Sequence, residues 1–234
     1  MRLDKMLAHL GYGSRKEVKE FIRKGYVLVN GIRIKDDDYK VDETMDEIQF
    51  LEQQIHYEHL LYFILNKPAG YVSATYDAYD PIVLDLIEGH EKRGLFPVGR
   101  LDKDTTGLLL ITNDGNLAHQ LLSPSKHVDK AYEVTFSGEY QTSFAVKFKE
   151  GILLDDGYKC LPASFKLLES HHGIITIQEG KYHQVKRMFE ALGMNVLTLK
   201  RVSFGCLTLP DDLKEGQYRS LTEQEKNKLI TKGE

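Results

Sequence analysis

The apolar run Leu108-Leu109-Leu110-Ile111-Thr112 constrains the fold more than any other stretch, because of the residues that lead into it. Its length and composition read as a buried strand. The nine residues before it, Gly99-Arg100-Leu101-Asp102-Lys103-Asp104-Thr105-Thr106-Gly107, place an arginine, two aspartates and two threonines between glycines. A strand needs only one turn residue at its mouth. Polar groups crowded onto a rigid scaffold are what a chain offers to a substrate. Asp102 is the candidate for chemistry, since an ionised carboxylate can be a nucleophile, a general base or the partner of a developing cation. A turn aspartate can equally cap its own backbone, and spacing alone leaves both readings open.

Two other chemistries fit less well. A metal held by Asp102 and Asp104 would need a third carboxylate or histidine nearby in sequence, and none is present, so no metal is expected. A paired-carboxylate glycosidase would need both acids on one side, whereas residues i and i+2 of this turn-rich loop have no such geometry assured. The chain has no P-loop, no GxGxxG and no CxxC, so no cofactor is expected.

Charge is unevenly spread. The net charge is −4, yet residues 1–35 carry nine Lys and Arg against three acids, and the acidic run Asp36-Asp37-Asp38 follows. The basic side is a candidate polyanion surface, and the swing reads as a boundary. Leu3, Met6, Leu7 and Leu10 form the stripe of an amphipathic helix from Arg2 to Gly11. Ser14-Arg15-Lys16-Glu17 is a capping-box signature for a second helix, Arg15 to Lys24, with Val18, Phe21 and Ile22 inward. Asn30-Gly31 inside Val27–Ile34 marks a hairpin. Arg2, Lys5, Arg15, Lys16, Lys19 and Arg23 then stand as the candidates for contacting a polyanion. A solvated helix face is the alternative reading for them.

Beyond an acidic bridge from Val41 to Glu58, strands are expected at 61–65, 130–137, 158–168, 173–178, 196–203 and 206–209. Helices are expected at 116–122, 142–149 and 181–192, with another starting at the capping box Thr222–Glu225. Strands outnumber helices without strict alternation, which predicts an α+β protein with a mixed or antiparallel sheet. The helix from Lys181 carries Lys181, His183, Lys186 and Arg187 near its start, where cations oppose the helix dipole. They are candidates for holding an anion, either a phosphate or a catalytic carboxylate. Tyr132 and Val134 share one face of their strand, so Tyr132 is either core or an aromatic plane for an unstacked base.

Together these segments resemble the RsuA-type pseudouridine synthases. The resemblance rests on Arg2-Leu3-Asp4-Lys5, Ser14-Arg15 and Gly25–Gly31, which look like an S4 RNA-binding domain. It rests further on Leu65–Val72, Gly99–Gly107, Ser123-Pro124, Lys130-Ala131-Tyr132 and Glu179–Phe189. It implies an S4-like domain over 1–48, a linker over 49–59 and a pseudouridine synthase catalytic domain over 60–234. It also implies that Asp102 is the essential carboxylate, Tyr132 stacks on the target base, Lys186 pairs with Asp102 and lowers its pKa, and Arg100 fills the space left by a flipped uridine. His183 and Arg187 join the RNA-binding set. The implied reaction is isomerisation of uridine to pseudouridine, with Asp102 acting at C1′, at C2′ or at C6.

Lys181–Met188 looks like the small-subunit (16S) rRNA enzymes, whose substrate would be 16S rRNA or a small-subunit assembly intermediate. A large-subunit (23S) target is the alternative within the family, and a non-catalytic S4 ribosome-assembly protein the alternative outside it. Two isolated cysteines, Cys160 and Cys206, no apolar leader in the first residues and no run of 18 apolar residues lead to the expectation of a cytoplasmic monomer without membrane contact.

Overall fold

The computed structural model describes residues 1–43, 45–55, 57, 60–89 and 94–231. It divides into two compact units, Met1–Leu61 with Glu88–Leu95, and Tyr62–Ile87 with Phe96–Glu234.

In the first unit, α1 (Leu3–His9) buries Leu3, Met6 and Leu7, and α2 (Arg15–Arg23) buries Val18 and Ile22. The capping box forms as expected: Ser14 Oγ accepts from the Glu17 amide at 3.3 Å, and Glu17 Oε2 accepts from the Ser14 amide at 2.7 Å. Strands β1 (Val27–Val29) and β2 (Ile32–Ile34) pair across Asn30 and Gly31, both at positive φ (51° and 77°), the mirror-image turn that the Asn-Gly pair favours.

The stretch expected to be a linker departs from that reading. Residues 48–50 and 53–55 form β3 (Ile48–Phe50) and β4 (Gln53–Ile55), completing a sheet of order β2-β1-β3-β4. Ile48, Phe50 and Ile55 are buried with both helices. Their period-2 spacing was hidden among acids, and the turn residues Leu51 and Glu52 take positive φ without any Asn or Gly to announce it. His56, Glu58 and His59 lie outside the described residues.

The second unit is built on a mixed sheet. Its strands are β5 (Tyr62–Lys67), β6 (Phe96–Pro97), β7 (Thr106–Thr112), β8 (Lys130–Ser137), β9 (Ser164–Glu169), β10 (His172–Ile177), β11 (Asn195–Phe204), β12 (Leu207–Thr208) and β13 (Tyr218–Ser220). The main order is β13-β5-β7-β11-β8-β10-β9, with β6 paired to β7 and β12 to β11. Only β7 and β11 run parallel among the paired described strands. β5 and most of β7 are buried on both faces, which is why they read as unbroken apolar runs.

The helices are α3 (Gly115–Leu122), α4 (Phe144–Glu150), α5 (Gln184–Glu190) and α6 (Glu223–Thr231). Asp114 caps α3 by accepting from the Leu117 amide at 3.0 Å. Phe148 and Phe189, from α4 and α5, meet Phe136 and Phe165 of the sheet at centroid distances of 5.3–6.1 Å. Each such pair adds roughly 0.5–1.5 kcal/mol beyond area burial.

Two further expectations are corrected. Residues 158–163 are not strand, because their backbone serves other partners: Cys160 N donates to Ile152 O and Ala163 N to Phe148 O. The helix expected from Lys181 begins only at Gln184, after His183 in the left-handed conformation (φ 48°).

Candidate active site

The loop before β7 is held from below by Lys67, the last residue of β5. Its side chain is fully buried, and its ammonium donates to the carbonyls of Thr105 (2.8 Å), Pro68 (3.0 Å) and Lys103 (3.2 Å). Burial pushes this amine down to about 8, against the pull of Asp104, Asp102 and Glu215. Ser73 Oγ accepts from the Leu101 amide at 3.0 Å and donates to the Leu101 carbonyl at 2.9 Å. Gly70 N donates to Lys103 O at 2.8 Å. The loop is therefore pinned at residues 101, 103 and 105, leaving Asp102 half-buried between fixed neighbours.

Gly107 closes the loop for a steric reason. It pairs with Arg201 of β11 at φ +99°, and a Cβ there would lie 2.3 Å from the Arg201 carbonyl oxygen.

Asp102 faces a lysine and a histidine from much further along the chain. Lys186 Nζ lies 3.3 Å from Asp102 Oδ2, and His183 Nε2 lies 3.7 Å from Asp102 Oδ1. Lys186 is shared: Asp104 accepts from it with both oxygens, at 2.7 and 2.9 Å. Burial opposes the charge on Lys186, yet the hydrogen bond to Asp104 and the charges of both aspartates raise its pKa overall. The same hydrogen bond holds the Asp104 carboxyl below its ordinary value despite partial burial. The expected partner of Lys186, Asp102, is thus joined by a second carboxylate. Asp104, which spacing left without a role, is the nearer partner.

A small cleft of about 60 Å³ opens over Asp102, lined by Arg100, Thr105, Tyr132, Lys181 and His183 among others. The Thr105 hydroxyl is buried there without a hydrogen-bond partner. Tyr132 is buried on the inward face of β8 with Val134, as the alternation required. Arg100 is exposed at the mouth. Tyr182 stacks on His183 (centroids 3.8 Å, 17°) and is itself exposed. Residues 99–107, 132 and 183–186, far apart in sequence, thus converge on one carboxylate with cations beside it and an aromatic ring lining the same cleft.

Other expected contacts lie elsewhere. Arg187 turns to Asp155 and Asp156, which hold it as an ion pair. In the first unit, Arg2 pairs with Asp4 and Asp38, Lys19 with Asp37 and Asp38, and Arg23 with Asp37. The Asp36–Asp38 run is therefore part of the basic module rather than its boundary. Lys5, Arg15 and Lys16 are exposed and make no ion pair among the described residues. Sequence reasoning missed Lys67, whose signal was a lysine closing a strand with no polar alternation. It also missed Arg201, a buried charge next to Lys200 in the mixed polar and apolar strand β11.

A carboxylate centre on a mixed sheet, in a chain that also carries a separate module of two helices and a small sheet with basic residues, defines an enzyme acting on a polyanion. The model of the RNA pseudouridylate synthase family matches residues 61–191, and that of the S4 domain matches residues 1–48. An uncharacterized RNA pseudouridine synthase of Bacillus subtilis is 45% identical, covering 96% of each chain. Ribosomal small subunit pseudouridine synthase A of Haemophilus influenzae is 38% identical, covering 98% of this chain and all of that one. Ribosomal large subunit pseudouridine synthase B of Bacillus subtilis is 39% identical over 97% of this chain and 95% of its own. A crystal structure of a pseudouridylate synthase, 38% identical, superposes with a TM-score of 0.70 over 98% of this chain and 99% of that one. The chain belongs to the RNA pseudouridine synthases, isomerases of uridine in RNA, and carries an N-terminal S4 domain.

Proposed function

We propose that the chain converts a uridine of small-subunit ribosomal RNA to pseudouridine, with Asp102 as the catalytic carboxylate. The observation that carries this reading is the ion pair of Asp102 with Lys186 at 3.3 Å, at a cleft also lined by Tyr132 and Arg100. The reaction breaks C1′–N1 and joins C1′ to C5. N1 gains a proton and C5 loses one, so no electron leaves the substrate. Asp102 takes the role that needs negative charge at the sugar or the base, with the Lys186 ammonium beside it at 3.3 Å. Tyr132 stacks on the base and helps to remove the C5 proton after the base has rotated.

A uridine in folded RNA must leave its stack, at a cost of a few kcal/mol. Stacking on Tyr132 returns about 1–3 kcal/mol, and Arg100 occupies the gap. The S4 domain adds affinity through phosphates. The enzyme works as a cytoplasmic monomer on rRNA or an assembly intermediate.

The small-subunit target is supported by the relative of that name from Haemophilus influenzae and by the segment Lys181–Met188. The large-subunit relative at 39% identity favours a second reading, a 23S target. Mapping pseudouridines in both rRNAs from a deletion strain, with and without the restored gene, tests this. Loss of one site in 16S rRNA is expected. A lost site in 23S rRNA with 16S intact would reverse the assignment.

A further inference from the structure

Next to the cleft at Asp102 lies a second cavity of about 680 Å³, far larger than one base requires. The two share Arg100, Tyr132, Gly180 and Lys181 in their linings, so they adjoin along one wall. The walls of the larger one differ in kind. Pro97, Leu122, Pro124 and Phe204 give it an apolar side. Against Phe204 stand Lys130 and Arg201, with the Lys130 ammonium 5.6 Å from its ring centroid, two cations with no carboxylate in ion-pair contact among the described residues.

Arg201 is 2% exposed, donates through Nε to the Leu108 carbonyl at 2.7 Å, and lies with its guanidinium over the Phe204 ring at 5.1 Å. Its Nη2 is buried without a hydrogen-bond partner. A buried guanidinium that no acid answers is rare. Lys130 donates to the Val128 carbonyl at 2.7 Å, and its amine is pushed down to about 8 by burial and by the charge of Arg201. The nearest acids are already engaged. Glu179 accepts from Tyr158 Oη, from the Leu161 amide and from Gln184, and the Asp129 carboxylate accepts from Gln178 at 3.0 Å. The cavity thus sets two cations without an ion-pair partner among the described residues against an apolar lining, with the Glu179 carboxylate turned to neutral donors, and charge beside an apolar surface is what a nucleotide needs.

Resting on the reading that Asp102 acts on uridine in RNA, we propose that this cavity is a second nucleotide subsite. The nucleotide adjoining the target uridine leaves the stack with it. Its base lies against Pro97, Leu122, Pro124 and Phe204, and its phosphate sits at Lys130, backed by the buried charge of Arg201. Two nucleotides drawn out together make the site a reader of the target's neighbour, so specificity for one uridine resides partly in this cavity.

The test is a cycle between protein and substrate, with the full-length protein. Leu122→Trp fills the cavity from a half-exposed position, and Lys130→Met removes the charge at constant length. Thermal melts establish that each variant folds. The substrates are short RNAs carrying the mapped uridine, with an abasic residue at each neighbour in turn or a neutral methylphosphonate at each adjoining linkage. Both dissociation constants and pseudouridine formation are measured.

For the unaltered protein, one abasic position should weaken binding roughly 5- to 150-fold, the range for one stacked base. Leu122→Trp should lose a comparable factor on intact RNA and be indifferent to that abasic position. Lys130→Met should be indifferent to the methylphosphonate at one linkage. Additive losses, or variants that bind and turn over intact RNA like the original, would overturn the subsite. Absence of pseudouridine from the unaltered protein on any rRNA, with the binding cycle intact, would overturn the catalytic reading and leave the subsite standing.

Discussion

Replacing Lys67 by methionine tests how the loop that carries Asp102 is held. The change removes three hydrogen bonds from a fully buried ammonium to the carbonyls of residues 68, 103 and 105. A hydrogen bond from a charged donor is worth roughly 2 kcal/mol, so the gross loss of three is about 5–7 kcal/mol. The variant also sheds the cost of a buried charge. The pKa of Lys67 falls from 10.5 to about 8, chiefly through desolvation, which corresponds to about 3 kcal/mol returned at pH 7. Methionine preserves most of the volume, so no cavity contribution is added. The net is a destabilisation of about 2–4 kcal/mol.

For a chain of this length that lowers Tm by about 5–15 °C. The assay is a thermal melt at pH 7 followed by far-UV circular dichroism. The pH dependence supplies an independent check. A lysine whose folded pKa lies below its unfolded value binds fewer protons folded than unfolded between those values. Its contribution to stability therefore rises as pH goes from about 8 to 10.5. Lys67→Met should lack that increment and close part of its gap to the unaltered protein below pH 8, relative to pH 10. Because Lys67 touches the loop's backbone and not the Asp102 carboxylate, turnover at 20 °C should fall much less than with Asp102→Asn. A melt within 2 °C of the original at pH 7 would refute the reasoning.

Asp104→Asn removes the nearer carboxylate from Lys186 and lets its ammonium settle on Asp102, so kcat should drop roughly tenfold, about 1.4 kcal/mol, with Asp104→Glu recovering most of it. Unchanged single-turnover rates would show that Asp104 is a bystander. Replacing Lys5, Arg15 and Lys16 together by alanine should flatten the slope of log affinity against log salt by about 2–3, while glutamine at Arg2, Lys19 and Arg23, already paired with acids, should change it less. Equal effects in the two triple variants would contradict that division. Glu225 is held at about 2 by the Arg219 hydrogen bond, so its contribution is complete above about pH 4.5 and disappears as pH falls through 2. Glu225→Gln should cost about 1–2 kcal/mol at pH 7, with the difference in Tm shrinking between pH 4.5 and 3. A gap that widens on acidification would refute it.

Local signals accounted for much of the fold. The Ser14–Glu17 and Thr222–Glu225 capping boxes and the Asn30-Gly31 turn depend on residues within four positions of one another, and each forms. The alternation of β8 and the apolar runs of β5 and β7 reflect burial on one face or two, which a single strand records. What escaped was set by distant partners. The β3–β4 hairpin turns on Leu51 and Glu52, residues with no preference for positive φ, and is held by pairing to β1. His183 takes a left-handed conformation just before α5, so Lys181 and His183 sit on a turn while Lys186 and Arg187 lie in the helix. Arg187 and Lys186 look alike in sequence, yet one meets Asp155 and Asp156 and the other Asp102 and Asp104. Nothing local distinguishes them. Lys67 closes a wholly buried strand, a pattern that flags a buried charge but does not name the carbonyls that receive it, and Arg201 stands beside Lys200 in a strand of mixed polarity where nothing local marks it as the buried one.

The most direct measurement is tritium release from 5-tritiated small-subunit rRNA by purified Asp102→Asn protein, with RNA affinity measured in parallel. Asparagine keeps the shape and removes the charge. The account predicts turnover lower by about 10²–10⁴-fold or more, with the dissociation constant within about threefold of the original. Turnover within tenfold of the unaltered protein would contradict the claim that the Asp102 carboxylate carries the chemistry.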